Sequence, residues 1–218
     1  MWCIQEITPE YRKRMYDILN LYEQPYDSAR PVIGFDEKPK QLLGEKRKSL
    51  PMQPGKTEKY DYEYARLGKA NIFMAVEPKG GKRHPQVTFQ RTKKDFARYL
   101  QALGKKYPKA KLIRIVLDNL NTHNPSSLYE NLRVTEARKI LKRFEFHYTP
   151  KHASWLNVAE IEIGIMDTEC TARRIPNIET LTKEVMAWAK ERNRKKKKII
   201  WKFTKQKADV KLKKHYVS

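Results

Sequence analysis

The run from Lys111 to Asp118 constrains the fold more than any other segment of this chain. The six residues before Asp118 are apolar except for Arg114. A run of this length and composition predicts a strand that is buried on both faces. Such strands occur in sheets that helices cover on both sides, so the sequence predicts an α/β fold.

Further strands are predicted before and after this run. Tyr60, Tyr62 and Tyr64 alternate with other residues, and this period of two predicts a half-buried strand with a turn over Gly68–Ala70 behind it. The segment Lys38–Thr57 is basic and contains three prolines, which predicts a loop. The remaining predicted strands are Val32–Asp36, Asn71–Glu77, Gln86–Gln90 and Glu145–Tyr148.

Helices are predicted from apolar spacing and from capping residues. Thr92 to Asp95 has the form of a capping box, Ser154 is placed to cap a helix that runs to about Ala172, and Asn177 is placed to cap another. Two more helices are predicted over residues 5–24 and 125–144. Together these elements predict a mixed sheet flanked by helices in residues 31–190, with a helical lead-in over residues 1–30 and a basic segment over residues 191–218.

The net charge of +22 indicates a polyanionic partner, and a hydrophobic content of 39% is enough to build a core. Cys3 and Cys170 are too few and too far apart for a disulfide framework or a zinc site, which favours a reducing cytosol. No apolar stretch reaches the length of a membrane span, and the first residues lack a signal-peptide pattern. We therefore expect a soluble, intracellular protein that binds nucleic acid.

Three acidic residues stand at the ends of predicted elements, namely Asp36, Asp118 and Glu160. Carboxylates are rare at the ends of apolar strands unless something there favours negative charge. In a basic chain, a divalent metal ion held against a nucleic-acid phosphate would do so. Taken alone, each aspartate also fits a structural role, because Asp36 can pair with Lys38 and Asp-Asn is typical of turns.

The third acid is not chosen by the helical pattern. On the predicted helix after Ser154, Glu160 and Glu162 lie on opposite borders of the apolar stripe, about equally far from its centre. Periodicity therefore leaves both open.

The C-terminal segment is strongly basic, with thirteen Lys or Arg residues between Lys190 and Lys214. Its densest part has two interpretations, a solvated helix end or a surface that contacts phosphates. Ile199, Trp201 and Phe203 interrupt the charge, which predicts that the segment packs against the rest of the protein. The densest part consists of Lys195, Lys196, Lys197 and Lys198.

Three segments of the chain, in order, resemble the signature blocks of DDE transposases. They are Phe35–Lys38 (FDEK), Val116–His123 (VLDNLNTH) and Tyr148–Glu160 (YTPKHASWLNVAE). The similarity is greatest to the bacterial insertion-sequence branch of the mariner superfamily, also described as DDE superfamily endonucleases. In that family the third acid follows an asparagine by three residues, which matches Asn157 and Glu160.

The resemblance implies an RNase H-like fold with a mixed five-stranded sheet flanked by helices. It implies that Asp36, Asp118 and Glu160 are catalytic and hold Mg²⁺, or alternatively Mn²⁺. The implied reaction is hydrolysis at transposon ends followed by strand transfer into target DNA. Asn119 and His123 would support the metal ligands or contact DNA.

The same resemblance implies partners and a location. The partners are transposon-end and target DNA, with a homodimer that joins two ends and no membrane. The location is the bacterial cytoplasm, in association with the nucleoid. Family members carry helix-turn-helix modules before the catalytic domain, whereas this chain begins 35 residues before Asp36. We therefore expect a catalytic domain without end recognition, which fits a second reading frame, a truncated copy or an expressed fragment. In the first case, a separate helix-turn-helix polypeptide would supply the missing module.

Two other functions fit part of this pattern. A catalytically decayed transposase remnant would keep the basic surface and bind DNA without cleaving it. A different RNase H-like nuclease, such as a junction resolvase, would have the acids but not the three motifs. The intact acids favour an active transposase domain.

Overall fold

Five strands form one mixed sheet in the computed structural model, which describes residues 6–217. Their order is β3-β2-β1-β4-β5; β1 pairs antiparallel with β2 and parallel with β4, and the outer pairs are antiparallel for β2–β3 and parallel for β4–β5. This confirms the predicted mixed five-stranded sheet. The strands are β1 (Val32–Glu45), β2 (Tyr64–Glu77), β3 (Lys82–Thr88), β4 (Ile113–Leu117) and β5 (Phe144–Tyr148).

Helices cover both faces of this sheet. Helices α2, α3 and α4 pack on one face, and α1, α5, α6 and α7 pack on the other. Cys3 and the first residue of the helix predicted over residues 5–24 lie outside the described residues. The helices are α1 (Pro9–Glu23), α2 (Lys93–Lys106), α3 (Ser126–Asn131), α4 (Val134–Leu141), α5 (Val158–Met166), α6 (Ile178–Arg194) and α7 (Lys205–Leu212).

Strand β4 is buried along its whole length, as its composition predicted. Ile115 and Leu117 belong to the core under α2, whereas Val116 belongs to the core under α1 and α5. Arg114 is 8% exposed and donates hydrogen bonds from Nε and Nη2 to the Arg30 carbonyl at 3.2 and 2.5 Å. A cation is tolerated in this strand because a backbone acceptor satisfies it.

The loop predicted from Lys38 is wrong for its first part, because β1 continues to Glu45. Beyond Gly34, β1 is paired with β2 and no longer with β4. One side of the strand is then an edge, where a proline such as Pro39 is tolerated although it lacks an N–H group.

The strand predicted from the alternating tyrosines is also wrong. Tyr60 and Tyr62 are 63% and 84% exposed and lie in an irregular segment, and β2 begins at Tyr64. The predicted turn at Gly68 is instead a bulge within β2, where the register with β1 shifts and Gly68 has a φ of 125°. A glycine at positive φ lets the strand continue through this irregularity.

The long helix predicted over residues 125–144 is two helices. Leu132 and Arg133 have extended backbone between α3 and α4, and Phe144 begins β5. The apolar spacing did not reveal this break because residues of both short helices, such as Leu128 and Ala137, reach the same core.

The helix predicted after Ser154 has a different cap from the expected one. Ser154 begins a 3₁₀ turn, and Asn157 caps α5 by accepting a hydrogen bond from the Ala159 N–H at 3.1 Å. Beyond Met166 the helix continues as a π turn to Thr171. The capping box at Thr92 and the cap at Asn177 are confirmed.

The C-terminal segment packs on α1, as its apolar residues predicted. The Trp201 ring lies 4.9 Å from the Tyr22 ring between centroids, and Phe203 contacts Trp155 edge to face at 5.4 Å. None of the helices in residues 6–217 is long and apolar enough to cross a membrane.

Candidate active site

The parallel pairing of β1 and β4 brings two of the predicted acids to the same edge of the sheet. Gly34 is in register with Val116. Asp36 and Asp118 each follow two residues later: Asp36 lies within β1, just beyond the last pair with β4, and Asp118 directly follows β4. Asp36 is half-buried, and the side chain of Asp118 is 34% exposed.

The third acid reaches this edge because α5 approaches β1 closely. A Cβ atom on Gly34 would lie 2.5 Å from Val158 Cγ1 and 3.0 Å from the Ala159 nitrogen, so glycine permits the contact. Asn157 fixes the approach by donating a hydrogen bond from Nδ2 to the Phe35 carbonyl at 2.7 Å. The start of α5 is therefore held directly beside Asp36.

The structure separates the two glutamates that the helical pattern left open. Glu160 lies in the first turn of α5 and is exposed. Glu162 is fully buried, and its carboxylate binds Arg83 and Arg192 on the other side of the helix. The three carboxylates that share the edge are thus those of Asp36, Asp118 and Glu160.

The electrostatics of Asp36 reflect this convergence. Burial raises the pKa of Asp36 to about 7; the Glu37 N–H hydrogen bond at 2.7 Å opposes the shift, and the charges of Glu160 and Asp118 add to it. The nearby charge of His123 lowers the pKa of Asp36 but does not cancel the repulsion from the other two acids. A divalent cation would relieve that repulsion.

His123 is buried behind Asp118 and has both ring nitrogens engaged. Nδ1 lies 2.5 Å from Asp118 Oδ1, and Nε2 lies 2.9 Å from Glu37 Oε1. Burial opposes the charged imidazole, but the hydrogen bonds to Asp118 and Glu37 outweigh it and raise the pKa of His123 to about 9. With an exposure of 0%, His123 is closed to solvent, and its ring contacts Asp118.

The other predicted contact residues lie in two separate places. Asn119 is exposed and lines a cleft of about 670 Å³ beside Asp118, together with Tyr11 and His152. The run Lys195–Lys198 packs instead near the β2–β3 turn, where the Ile199 N–H bonds the Pro78 carbonyl at 3.0 Å. Because β2 runs antiparallel to β1, this turn is at the end of the sheet away from the acids.

The chemistry of the three acids fits magnesium, since all of them offer hard carboxylate oxygens from separate elements. Within residues 6–217, however, no group of three or more ligating side chains is arranged to hold a metal ion as it stands. One oxygen of Asp118 is already engaged by His123. The carboxylates would therefore have to converge further when an ion binds.

Sequence reasoning missed two residues of this edge, Glu37 and Asn157, as parts of the site. Glu37 is 2% exposed in its side chain and directly follows Asp36. Asn157 is fully buried and stands three residues before Glu160. Both residues lie inside the motifs, and this position could have marked them as parts of the site. The sequence around them, however, does not distinguish a residue that supports the acids from an ordinary helix cap or strand residue.

The fold and the acidic edge together define a class of protein. A mixed five-stranded sheet with one acid within a central strand, one directly after the neighbouring parallel strand and one on a following helix is the arrangement of an RNase H-like nuclease domain. The model of the DDE superfamily endonuclease family matches residues 31–182. The chain belongs to this family, which confirms the resemblance read from the three motifs.

Solved structures support the fold. The Mos1 mariner paired-end complex with Mn and the Mos1 transposase paired-end complex with left transposon end both give a TM-score of 0.56 at 16% identity and cover 90% of this chain. The Mos1 strand transfer complex gives 0.50 at 16% identity and covers 87%. This chain spans 61%, 60% and 57% of those chains, respectively. A search of curated proteins gives no significant match.

Proposed function

We propose that this chain is the catalytic domain of an insertion-sequence transposase that cleaves DNA and transfers the cut strand to a target. The observation that carries the proposal is the convergence of Asp36, Asp118 and Glu160 on one edge of an RNase H-like sheet. Family membership adds the endonuclease class. The Mos1 neighbours are a paired-end complex with left transposon end and a strand transfer complex, and they support DNA as the substrate.

In this proposal Asp36, Asp118 and Glu160 would hold Mg²⁺, or Mn²⁺ in its place. The bound ions would activate the attacking oxygen and stabilise the leaving oxygen of a phosphodiester. The acids are well suited to this because they come from a paired strand, the end of a neighbouring strand and a helix start, which are rigid elements.

The surrounding residues would fix the acids in place. Asn157 would hold the start of α5 against β1, so that Glu160 stays opposite Asp36. His123 would orient Asp118, and Glu37 would in turn fix the imidazole through Nε2. These are positioning roles, since each residue acts on DNA through an acid and not directly.

The remaining parts of the proposal concern partners. The charge of +22 suits binding to DNA phosphates, with Asn119 in the cleft beside Asp118 and the run Lys195–Lys198 as an outlying contact. A helix-turn-helix module would recognise the transposon ends, two copies of the catalytic domain would join them, and the protein would associate with the bacterial nucleoid.

The test is nicking of supercoiled plasmid DNA by the purified chain in Mg²⁺ or Mn²⁺. Asp118→Asn removes one proposed ligand, and Glu136→Gln removes the charge of an exposed acid on α4 as a matched control. We expect nicking by the wild type and by Glu136→Gln and none by Asp118→Asn. Equal nicking by all three would overturn the assignment, and DNA binding without nicking by any would favour a decayed remnant.

A further inference from the structure

A polar cleft of about 480 Å³ lies where β3 leads into α2, apart from the acids. Phe89 stands in this cleft with 69% of its surface exposed. Two amide side chains and two cations line it as well. They are those of Gln86, Gln90, Lys94 and Arg98.

Four of the polar side chains that line this cleft are available to a ligand, whereas those of Thr88, Thr92 and Asp95 are hydrogen-bonded within the chain. Among the described residues, none of those four side chains has a hydrogen-bond or ion-pair partner within the chain. Two cations next to them in sequence are used, since Arg91 pairs with Glu37 and Lys93 pairs with Glu130. Of these four neighbouring cations, the two with no partner among residues 6–217, Lys94 and Arg98, are therefore the ones that line the cleft.

The cleft belongs to the same edge of the sheet as the acids. Arg91 Nη1 lies 3.5 Å from Glu37 Oε2, and Glu37 directly follows Asp36. The Phe89 carbonyl accepts a hydrogen bond from Asn71 Nδ2 at 3.4 Å, which ties the loop to β2. The loop that carries Phe89 is thus joined both to β2 and to the residue that follows Asp36.

We propose that this cleft binds one unpaired nucleobase of the DNA strand beside the cleavage site. Phe89 stacks on the base, Gln86 and Gln90 bond its edge, and Lys94 and Arg98 contact the flanking phosphates. The base must be unpaired. In an intact duplex the neighbouring bases stack on both of its faces, and the complementary base occupies its edge. This inference rests on the proposed function and adds that the substrate is locally unwound.

The test measures binding in EDTA, so that it does not depend on cleavage. The ligands are a fluorescent single-stranded oligonucleotide and the intact duplex. A series of the same single strand, each member lacking the base at one position, completes the set. The variants are Phe89→Ala, Phe89→Trp and, as a control, Met186→Ala, which shortens an exposed apolar side chain on α6 across the sheet.

We expect Phe89→Ala to weaken single-strand binding about 5- to 100-fold, the range of one base–aromatic stack, while duplex binding is unchanged. Phe89→Trp restores the affinity, Met186→Ala has no effect, and one abasic position weakens the wild type but not Phe89→Ala. An unchanged affinity in Phe89→Ala, or an equal loss for single strand and duplex, would overturn the nucleobase site. Plasmid nicking would then still decide the proposed function separately.

Discussion

The carboxylates on the two sides of α5 differ in how their charge is balanced. On one side, Glu160 joins Asp36 and Asp118 at the sheet edge, where the acids act on one another. On the other side lies the buried ion cluster formed by Arg83, Glu162 and Arg192. Glu162 Oε2 is 2.7 Å from Arg83 Nη2, and both side chains are fully buried.

The cluster is completed by the chain itself, whereas the acidic edge is not. Arg192 also bonds Glu162, and Asn193 bonds the backbone of Arg83 in both directions at 2.7 and 2.9 Å. Glu162 therefore has a structural explanation. At the shared edge, His123 pairs with Asp118, but within residues 6–217 Asp36 and Glu160 form no ion pair, and a metal ion would balance their charge.

The largest effect that tests this contrast is expected for Glu160→Gln. Loss of a proposed metal ligand is expected to reduce plasmid nicking on the order of 10³-fold or more. The exposed side chain contributes little packing, so the thermal unfolding midpoint is expected to stay near that of the wild type. Nicking rates and a thermal melt on the same preparation check both expectations, and wild-type nicking in a folded variant would remove Glu160 from the site.

Glu162→Gln is expected to give the opposite phenotype. Removing one partner of a buried ion pair costs about 3–5 kcal/mol, because the arginines stay buried without their counterion. Denaturant unfolding measures this loss, with Glu191→Gln as a control because that glutamate pairs with Arg194 on the surface. Nicking by the protein that remains folded is expected to persist. A variant that is stable but inactive would reverse the roles of the two glutamates.

The sequence predicted the fold well wherever burial decided it. The apolar run before Asp118 required helices on both faces, and β4 is buried throughout. The tyrosine alternation failed because a period of two does not distinguish a strand from an exposed irregular segment. The extension of β1 past Pro39 was missed because the free edge of the strand follows from its pairing partners and not from its own residues.

The candidate site was only partly predictable. The motifs singled out Asp36, Asp118 and Glu160, but the helical pattern by itself left Glu160 and Glu162 open, because that choice depends on which side of α5 faces the arginines. Those arginines come from β3 and α6, distant in sequence, so no local pattern revealed them. The support of Asp118 by Glu37 through His123 likewise spans 86 residues and required the fold.

A smaller effect is expected from closing the contact that brings Glu160 to the edge. Gly34→Ala places a methyl group 2.5 Å from Val158 Cγ1, so the start of α5 has to shift. We expect a loss of about 1–3 kcal/mol in unfolding free energy and slower nicking. Gly164→Ala on the same helix meets nothing within 4 Å and is expected to stabilise by up to about 1 kcal/mol. Similar behaviour of the two variants would mean that the close approach is not required.

The smallest effect is expected away from the acidic edge, at Lys195–Lys198, where the Lys197 backbone bonds both arginines of the buried ion cluster. If these lysines bind DNA, changing all four to glutamine reduces the slope of log affinity against log salt by about 0.9 for each phosphate that they neutralise. Nicking at saturating DNA is expected to remain, since the run lies at the end of the sheet away from the acids. A matched control variant neutralises four exposed lysines near the end of α2 or on and after α4. An equal change of slope in the control and in the Lys195–Lys198 variant would mean that the run is an ordinary solvated surface. Those control positions are Lys105, Lys106, Lys139 and Lys142.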